Sequence, residues 1–161
     1  MTLEPLLDAQ PAIQIHVATV VPAALLGAYL LSRPKGTPRH RLLGKIWMGL
    51  MVITALSTFF IHELNMFYGF SPIHLLSIAT LFGAWQAIAA ARRHDVVRHR
   101  HIVRSIYFGG IVIAGLFTFL PGRIMNSVVF SGHDMVALAA GLVVTSAAAA
   151  IVLSSRLRPA A

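Results

Sequence analysis

Histidine is the side chain with the widest chemical capacity in this chain, which has eight of them. Two, His16 and His74, fall inside long apolar stretches, where ionisable groups are costly and are candidates for function. Imidazole is the ionisable group that is cheapest to bury, and it binds haem iron. The other six lie near the ends of apolar stretches: His40, His62, His94, His99, His101 and His133.

The charged residues indicate an integral membrane protein. Of the 161 residues, 57% are hydrophobic and 11% are charged, against about 25% charged in soluble domains. Twelve of the thirteen Lys/Arg fall in Arg33–Lys45, Arg92–Arg104 and Arg156–Arg158, and the remaining one is Arg123. Because these clusters alternate with apolar runs, the net charge of +8 reflects membrane topology. We therefore expect lipid, and no nucleic acid, as a partner.

Five apolar runs are long enough to cross a bilayer as helices, which needs about 20 residues. They predict an all-α, up-down bundle that forms one domain over residues 1–161. With the basic clusters inside, the N-terminus lies outside and the C-terminus inside, as in a multi-pass protein of the bacterial inner membrane. The runs are approximately Ala12–Leu31, Leu42–Ile61, Pro72–Ala91, Val103–Leu120 and Met135–Leu153.

Four histidines form two pairs, each at one predicted depth in the membrane. His16 and His74 lie near the outer ends of the first and third runs, and His40 and His99 near the inner ends of the second and fourth. In a four-helix bundle the first and third helices can be diagonal, as can the second and fourth, so each pair could supply two axial ligands to iron. His101 is an alternative to His99. The sequence thus predicts one or two haem b groups.

Basic residues near these histidines could bind the haem propionates by charge-assisted hydrogen bonds. Lys45 and Arg104 lie one turn into their helices on the inner side, and Arg123 lies outside. Gly110 leaves space for a ring edge. Trp47, near the inner end of the second run, is predicted to be an interfacial anchor.

Two alternatives remain open. Each histidine outside the apolar runs could simply be solvated at the membrane interface, in a protein with no haem. Imidazole, carboxylate and thioether groups near the outer surface could instead bind copper or zinc. That second set is His62, Glu63, Met66 and His133, with His74 beside it. The chain has no cysteine, which excludes disulfides and thiolate metal sites.

Three segments, KGTPRHRLLGKIW, FSPIHLLS and AGLFTFLPGR, resemble a bacterial family of predicted membrane proteins of unknown function. The resemblance extends from about His16 to Arg123 and implies a multi-span inner-membrane protein. The arrangement of histidines is also similar in kind to that of transmembrane di-haem cytochromes b, although this second likeness is one of architecture.

We therefore expect a b-type cytochrome that passes electrons between a quinol or soluble donor and an acceptor across the membrane. Such a protein could be an oxidoreductase, and it could act as a homo-oligomer or with a partner membrane subunit. The alternative is a non-enzymatic protein, such as an accessory subunit, a small transporter or a copper- or zinc-handling protein.

The orientation is directly testable. A reporter fused after Ala161 should be active only in the cytoplasm, because twelve of the thirteen Lys/Arg lie on the predicted inner side. Paired alkaline phosphatase and fluorescent-protein fusions measure this. Phosphatase activity of the fusion in the periplasm would reverse the predicted orientation.

Overall fold

The computed structural model describes residues 3–61 and 72–130, which are helical with no β-strand among them. The helices are α1 (Glu4–Leu7), α2 (Pro11–Ser32), α3 (Pro38–Ser57), a 3-10 turn (Thr58–Phe60), α4 (Pro72–Arg92), α5 (Val96–Ser105), a π-helical segment (Ile106–Ile113), α6 (Ala114–Thr118) and α7 (Ile124–Phe130).

Four helical stretches in the described part of the chain are long and apolar enough to cross a membrane. They are Pro11–Ser32, Pro38–Phe60, Ile73–Arg92 and Val96–Thr118. The first four predicted spans are therefore confirmed as helices. The fifth, Met135–Leu153, lies outside the described residues, so the count of five stays a prediction.

Two compact units make up the described chain, and the predicted single domain stays a prediction. The larger unit is Ala9–Ala114, and the smaller holds residues 3–8 and 115–130. In the larger unit α2 packs against α3 and the π-helical segment, whereas α4 packs against α3, α5 and the π-helical segment. This order around the bundle places α2 across from α4, as predicted for the first and third spans.

The smaller unit packs α1 against α7. Asn126 of α7 is buried, with 2% of its surface exposed, and its side-chain amide donates to the Phe119 carbonyl over 2.8 Å. This bond satisfies a polar group that would otherwise destabilise the packing.

Helix α3 begins earlier than the apolar run predicts. Its N-cap is Thr37, whose hydroxyl accepts a hydrogen bond from the His40 backbone N–H over 3.1 Å, and Pro38 follows in the first turn. Threonine as a cap and proline in the first turn are typical of a helix start. Because the helix begins at Pro38, His40 lies inside its first turn and not before it.

The connection between α4 and α5 is much shorter than the gap between the predicted spans, which extended from Ala91 to Val103. Asp95 N–H donates to Ala90 O over 3.0 Å and His94 N–H to Ala91 O over 3.2 Å, which closes α4 with a Schellman motif. His94 takes the left-handed conformation (φ 61°) that glycine usually supplies. The Asp95 carboxylate then caps α5 by accepting from Arg98 N–H over 3.0 Å.

This turn corrects the predicted start of the fourth span. The span was predicted to begin at Val103, whereas the helix begins at Val96. Counting only apolar residues missed the first two turns, because α5 is amphipathic and its exposed face carries the cations. The basic cluster Arg92–Arg104 is thus mostly helix.

Small residues on α2 let two aromatic side chains approach its backbone. Ala23 and Gly27 are buried there. Trp47 Nε1 donates to the Ala23 carbonyl over 2.9 Å, and the Tyr107 hydroxyl donates to the Ala24 carbonyl over 3.2 Å. Trp47 is 2% exposed, so its predicted role as an interfacial anchor is wrong. It packs in the core because its N–H finds an acceptor there.

Replacing Gly27 with alanine should destabilise the larger unit. A Cβ at Gly27 would lie 2.6 Å from the Tyr107 ring and 2.7 Å from Trp47 Nε1. Both rings must then shift, at a cost of about 1–3 kcal/mol in the free energy of unfolding. Thermal unfolding of the detergent-solubilised protein measures the change.

Gly49 provides the matched control, since it lies on exposed α3 surface where an added Cβ meets nothing within 4 Å. Gly49→Ala should be neutral or stabilising by up to about 1 kcal/mol. Equal melting temperatures for the two variants would contradict the close packing at Gly27.

Candidate functional site

His16 is held by the C-terminal half of α3. Its Nδ1 lies 3.2 Å from the Thr54 carbonyl oxygen and 3.1 Å from Ser57 Oγ. The Ser57 hydroxyl itself donates to the Thr54 carbonyl over 2.7 Å. Because a carbonyl oxygen can only accept, Nδ1 carries the proton and donates. The other ring nitrogen, Nε2, then has the lone pair that a metal ligand requires.

A group of buried hydroxyls surrounds this region, and sequence reasoning missed it. The Thr54 hydroxyl donates to Thr19 Oγ1 over 2.8 Å, joining α3 to α2. The Thr58 hydroxyl is hydrogen-bonded to Ser77, joining the 3-10 turn to α4. The signal was available in the sequence. Thr54, Ser57 and Thr58 recur at the i, i+3 and i+4 spacing that places residues on one helix face.

His74 lies in the first turn of α4, as predicted, and is 3% exposed. Its ring faces that of Phe59, with the centroids 5.8 Å apart and the planes tilted by 54°. Phe59 follows Ser57 by two residues, so His16 and His74 approach the same end of α3 from different helices. Joint ligation of one iron by these two residues stays a prediction.

The inner pair is His40 and His99. His99 Nδ1 lies 2.9 Å from the Ala87 carbonyl oxygen of α4, so it too donates from Nδ1 and presents Nε2 as a lone pair. His40 Nδ1 is buried and, among the described residues, has no hydrogen-bond partner. Joint ligation of one iron by His40 and His99 stays a prediction.

The choice between His99 and His101 follows from α5. His99 is half-buried and bonded to α4, whereas His101 is exposed. Residues two apart point in different directions on a helix, so the face that packs on α4 excludes His101. Of the two, only His99 contacts α4, and its role as a ligand stays a prediction.

The structure describes all three residues that were predicted to bind the haem propionates. Lys45 and Arg104 are both exposed on the larger unit. Arg123 belongs to the smaller unit, where its guanidinium lies 5.0 Å from the centre of the Phe117 ring. At Gly110 an added Cβ would lie 3.4 Å from Thr80 Oγ1, so ordinary packing already fills the space predicted for a ring edge.

The alternative outer metal site cannot be placed. His62, Glu63, Met66 and His133 lie outside the described residues. Within residues 3–61 and 72–130, no group of three or more His, Asp or Glu side chains is arranged to hold a metal ion. Copper or zinc binding at this site therefore stays a prediction.

One family model matches most of the chain. The family is described as "Predicted membrane protein (DUF2306)", and the match covers residues 13–153. This confirms the resemblance seen in the three sequence segments. No curated protein and no solved structure matches the chain.

The two hydrogen bonds to carbonyls fix a testable tautomer. His16 and His99 should be protonated on Nδ1 when neutral, because Thr54 and Ala87 offer only acceptors. Nitrogen-15 NMR of histidine-labelled protein distinguishes the tautomers, and His16→Gln and His99→Gln assign the signals. His101, which is exposed, provides a control without this constraint. Nε2-protonated signals for both assigned residues would contradict the geometry.

Proposed function

The chain belongs to the DUF2306 family of predicted membrane proteins, and for this member we propose b-type haem binding and electron transfer across the bacterial inner membrane. Its apolar helices cross the membrane several times and contact lipid. The proposed orientation has the N-terminus outside and the three basic clusters inside. A quinol or a soluble donor would be oxidised on one side, and an acceptor reduced on the other.

The observation that supports this most is the inner pair. A buried imidazole nitrogen without a partner is costly, and His40 Nδ1 is such a nitrogen among the described residues. An iron between the two rings would satisfy it. The bond from His99 Nδ1 to the Ala87 carbonyl is the kind of outer-shell contact that orients ligating histidines and raises their basicity.

The outer pair supports a second site at a different depth. His16 has the same Nδ1-to-carbonyl bond, here to Thr54. From His16 to Leu31, the inner end of the predicted run, is about 15 residues or roughly 22 Å of helix. Two haems at these depths would lie one in each half of the membrane.

A bound haem supplies one-electron chemistry, and the chain's own residues supply its environment. Buried Trp47, Met48 and Met51 exclude water from the centre of the larger unit. Lys45 and Arg104, being exposed near the inner ends of their helices, would interact with propionates that remain in the headgroup region.

Haem content and spectra of His variants test the inner site. The purified full chain, expressed with full haem supply, should be red, with haem quantified per chain by pyridine haemochrome. His99→Ala should remove the inner signal and lower the haem content by up to one per chain, because it deletes an axial ligand. His101→Ala is the matched control and should leave both quantities unchanged, since that ring is exposed.

The outer site is tested in the same way with His16→Ala and His74→Ala, each of which should remove the outer signal. A colourless wild-type preparation under full haem supply would overturn the proposed function altogether. Unchanged haem content in both His40→Ala and His99→Ala would exclude the inner site alone.

A further inference from the structure

An open pocket of about 330 Å³ lies at the inner end of the larger unit, where α2 ends and α3 begins. Tyr29 and Leu30 line it from the last turns of α2, and Thr37 and Leu43 line it from the cap and second turn of α3. These positions are at the ends of two membrane-spanning helices, so the pocket lies at the depth of lipid headgroups.

The pocket is strongly basic. Arg33 and Arg39 both line it, and the Arg33 guanidinium is positioned 5.3 Å from the centre of the Tyr29 ring. Lys35 lies in the same connection, with its ammonium donating to the Leu31 carbonyl over 2.8 Å. The sequence has no Asp or Glu between Asp8 and Glu63, so neither helix supplies a carboxylate to neutralise these cations.

Part of the remaining lining is apolar, and this part decides the class of ligand. Leu30, Pro34 and Leu43 form it, next to the polar Thr37 and His40. Leu30 is 7% exposed and Leu43 is half-buried, so together they form an apolar wall beside the two guanidinium groups. An inorganic anion would use only the cations. A ligand with an anionic head and hydrocarbon chains uses both, and basic pockets between membrane helices on the cytoplasmic side bind such headgroups.

We propose that this pocket binds the phosphate of an anionic phospholipid, with Arg33 and Arg39 as the headgroup ligands and Leu30 and Leu43 against the first methylenes of its chains. Guanidinium groups suit the site because they can donate two parallel hydrogen bonds to a phosphate. His40 also lines the pocket and is a proposed haem ligand. The lipid proposal does not require haem, because its headgroup ligands are the two arginines, which belong to neither proposed haem site.

Native mass spectrometry of the full chain tests this. The protein is released from nanodiscs that contain equal amounts of phosphatidylglycerol and phosphatidylcholine, and the lipid retained per chain is counted. The wild type should retain phosphatidylglycerol preferentially. Arg33→Ala combined with Arg39→Ala should lower that retention at least about tenfold, because two charge-assisted contacts are lost. Arg33→Lys with Arg39→Lys should retain part of it.

The control removes the same charge elsewhere. Arg93 and Arg100 are exposed cations at the other inner turn, and their double alanine variant should bind phosphatidylglycerol as the wild type does. Equal loss in both double variants would show general attraction to an anionic surface and would overturn the pocket. No preference between the lipids in the wild type would also overturn it. Displacement of the bound lipid by millimolar inorganic phosphate would identify an anion site that does not require a lipid.

Discussion

The larger unit depends on one constraint, which is that a polar group within the apolar part of a bilayer must find its partner inside the protein. Four interior side chains meet it in the same way, by donating to a backbone carbonyl of a neighbouring helix. The pairs are Trp47 with Ala23 O, Tyr107 with Ala24 O, His16 with Thr54 O, and His99 with Ala87 O. Each bond joins two helices, so these contacts fix which helices are neighbours and at what height they meet.

Helix carbonyls can serve this purpose because each oxygen has a second lone pair beyond its bond within the helix. Access to that lone pair requires a small side chain nearby, and three of the four acceptors are alanines. Gly27 extends the opening on α2, since even a methyl group there would collide with Tyr107 and Trp47. Small residues and polar donors therefore act together in the packing of membrane helices, and neither would be sufficient alone.

Much of this fold could be predicted from the sequence. A bilayer requires long apolar segments, and Lys and Arg cluster in the connections on one side of it. The four spans were predicted from their apolar runs, and Thr37, Ala23 and Gly27 are residue types typical of a helix cap and of a close helix contact. The start of α5 was not predicted, because His94 closes α4 in a conformation that sequence rules assign to glycine. The location of Trp47 was also missed, since hydropathy cannot show that its N–H has an acceptor on another helix.

Histidine differs from the other donors in the hydrogen-bonding capacity that remains after it has donated to a carbonyl. Once the indole of Trp47 or the hydroxyl of Tyr107 has donated to a carbonyl, its main hydrogen-bonding requirement is satisfied. An imidazole that donates from Nδ1 still has a basic lone pair on Nε2. At His16 and His99 the packing of the bundle therefore sets the tautomer, and the tautomer leaves a nitrogen able to bind iron or accept a proton. For these two residues, the contact that stabilises the fold would also orient the ligand that we propose.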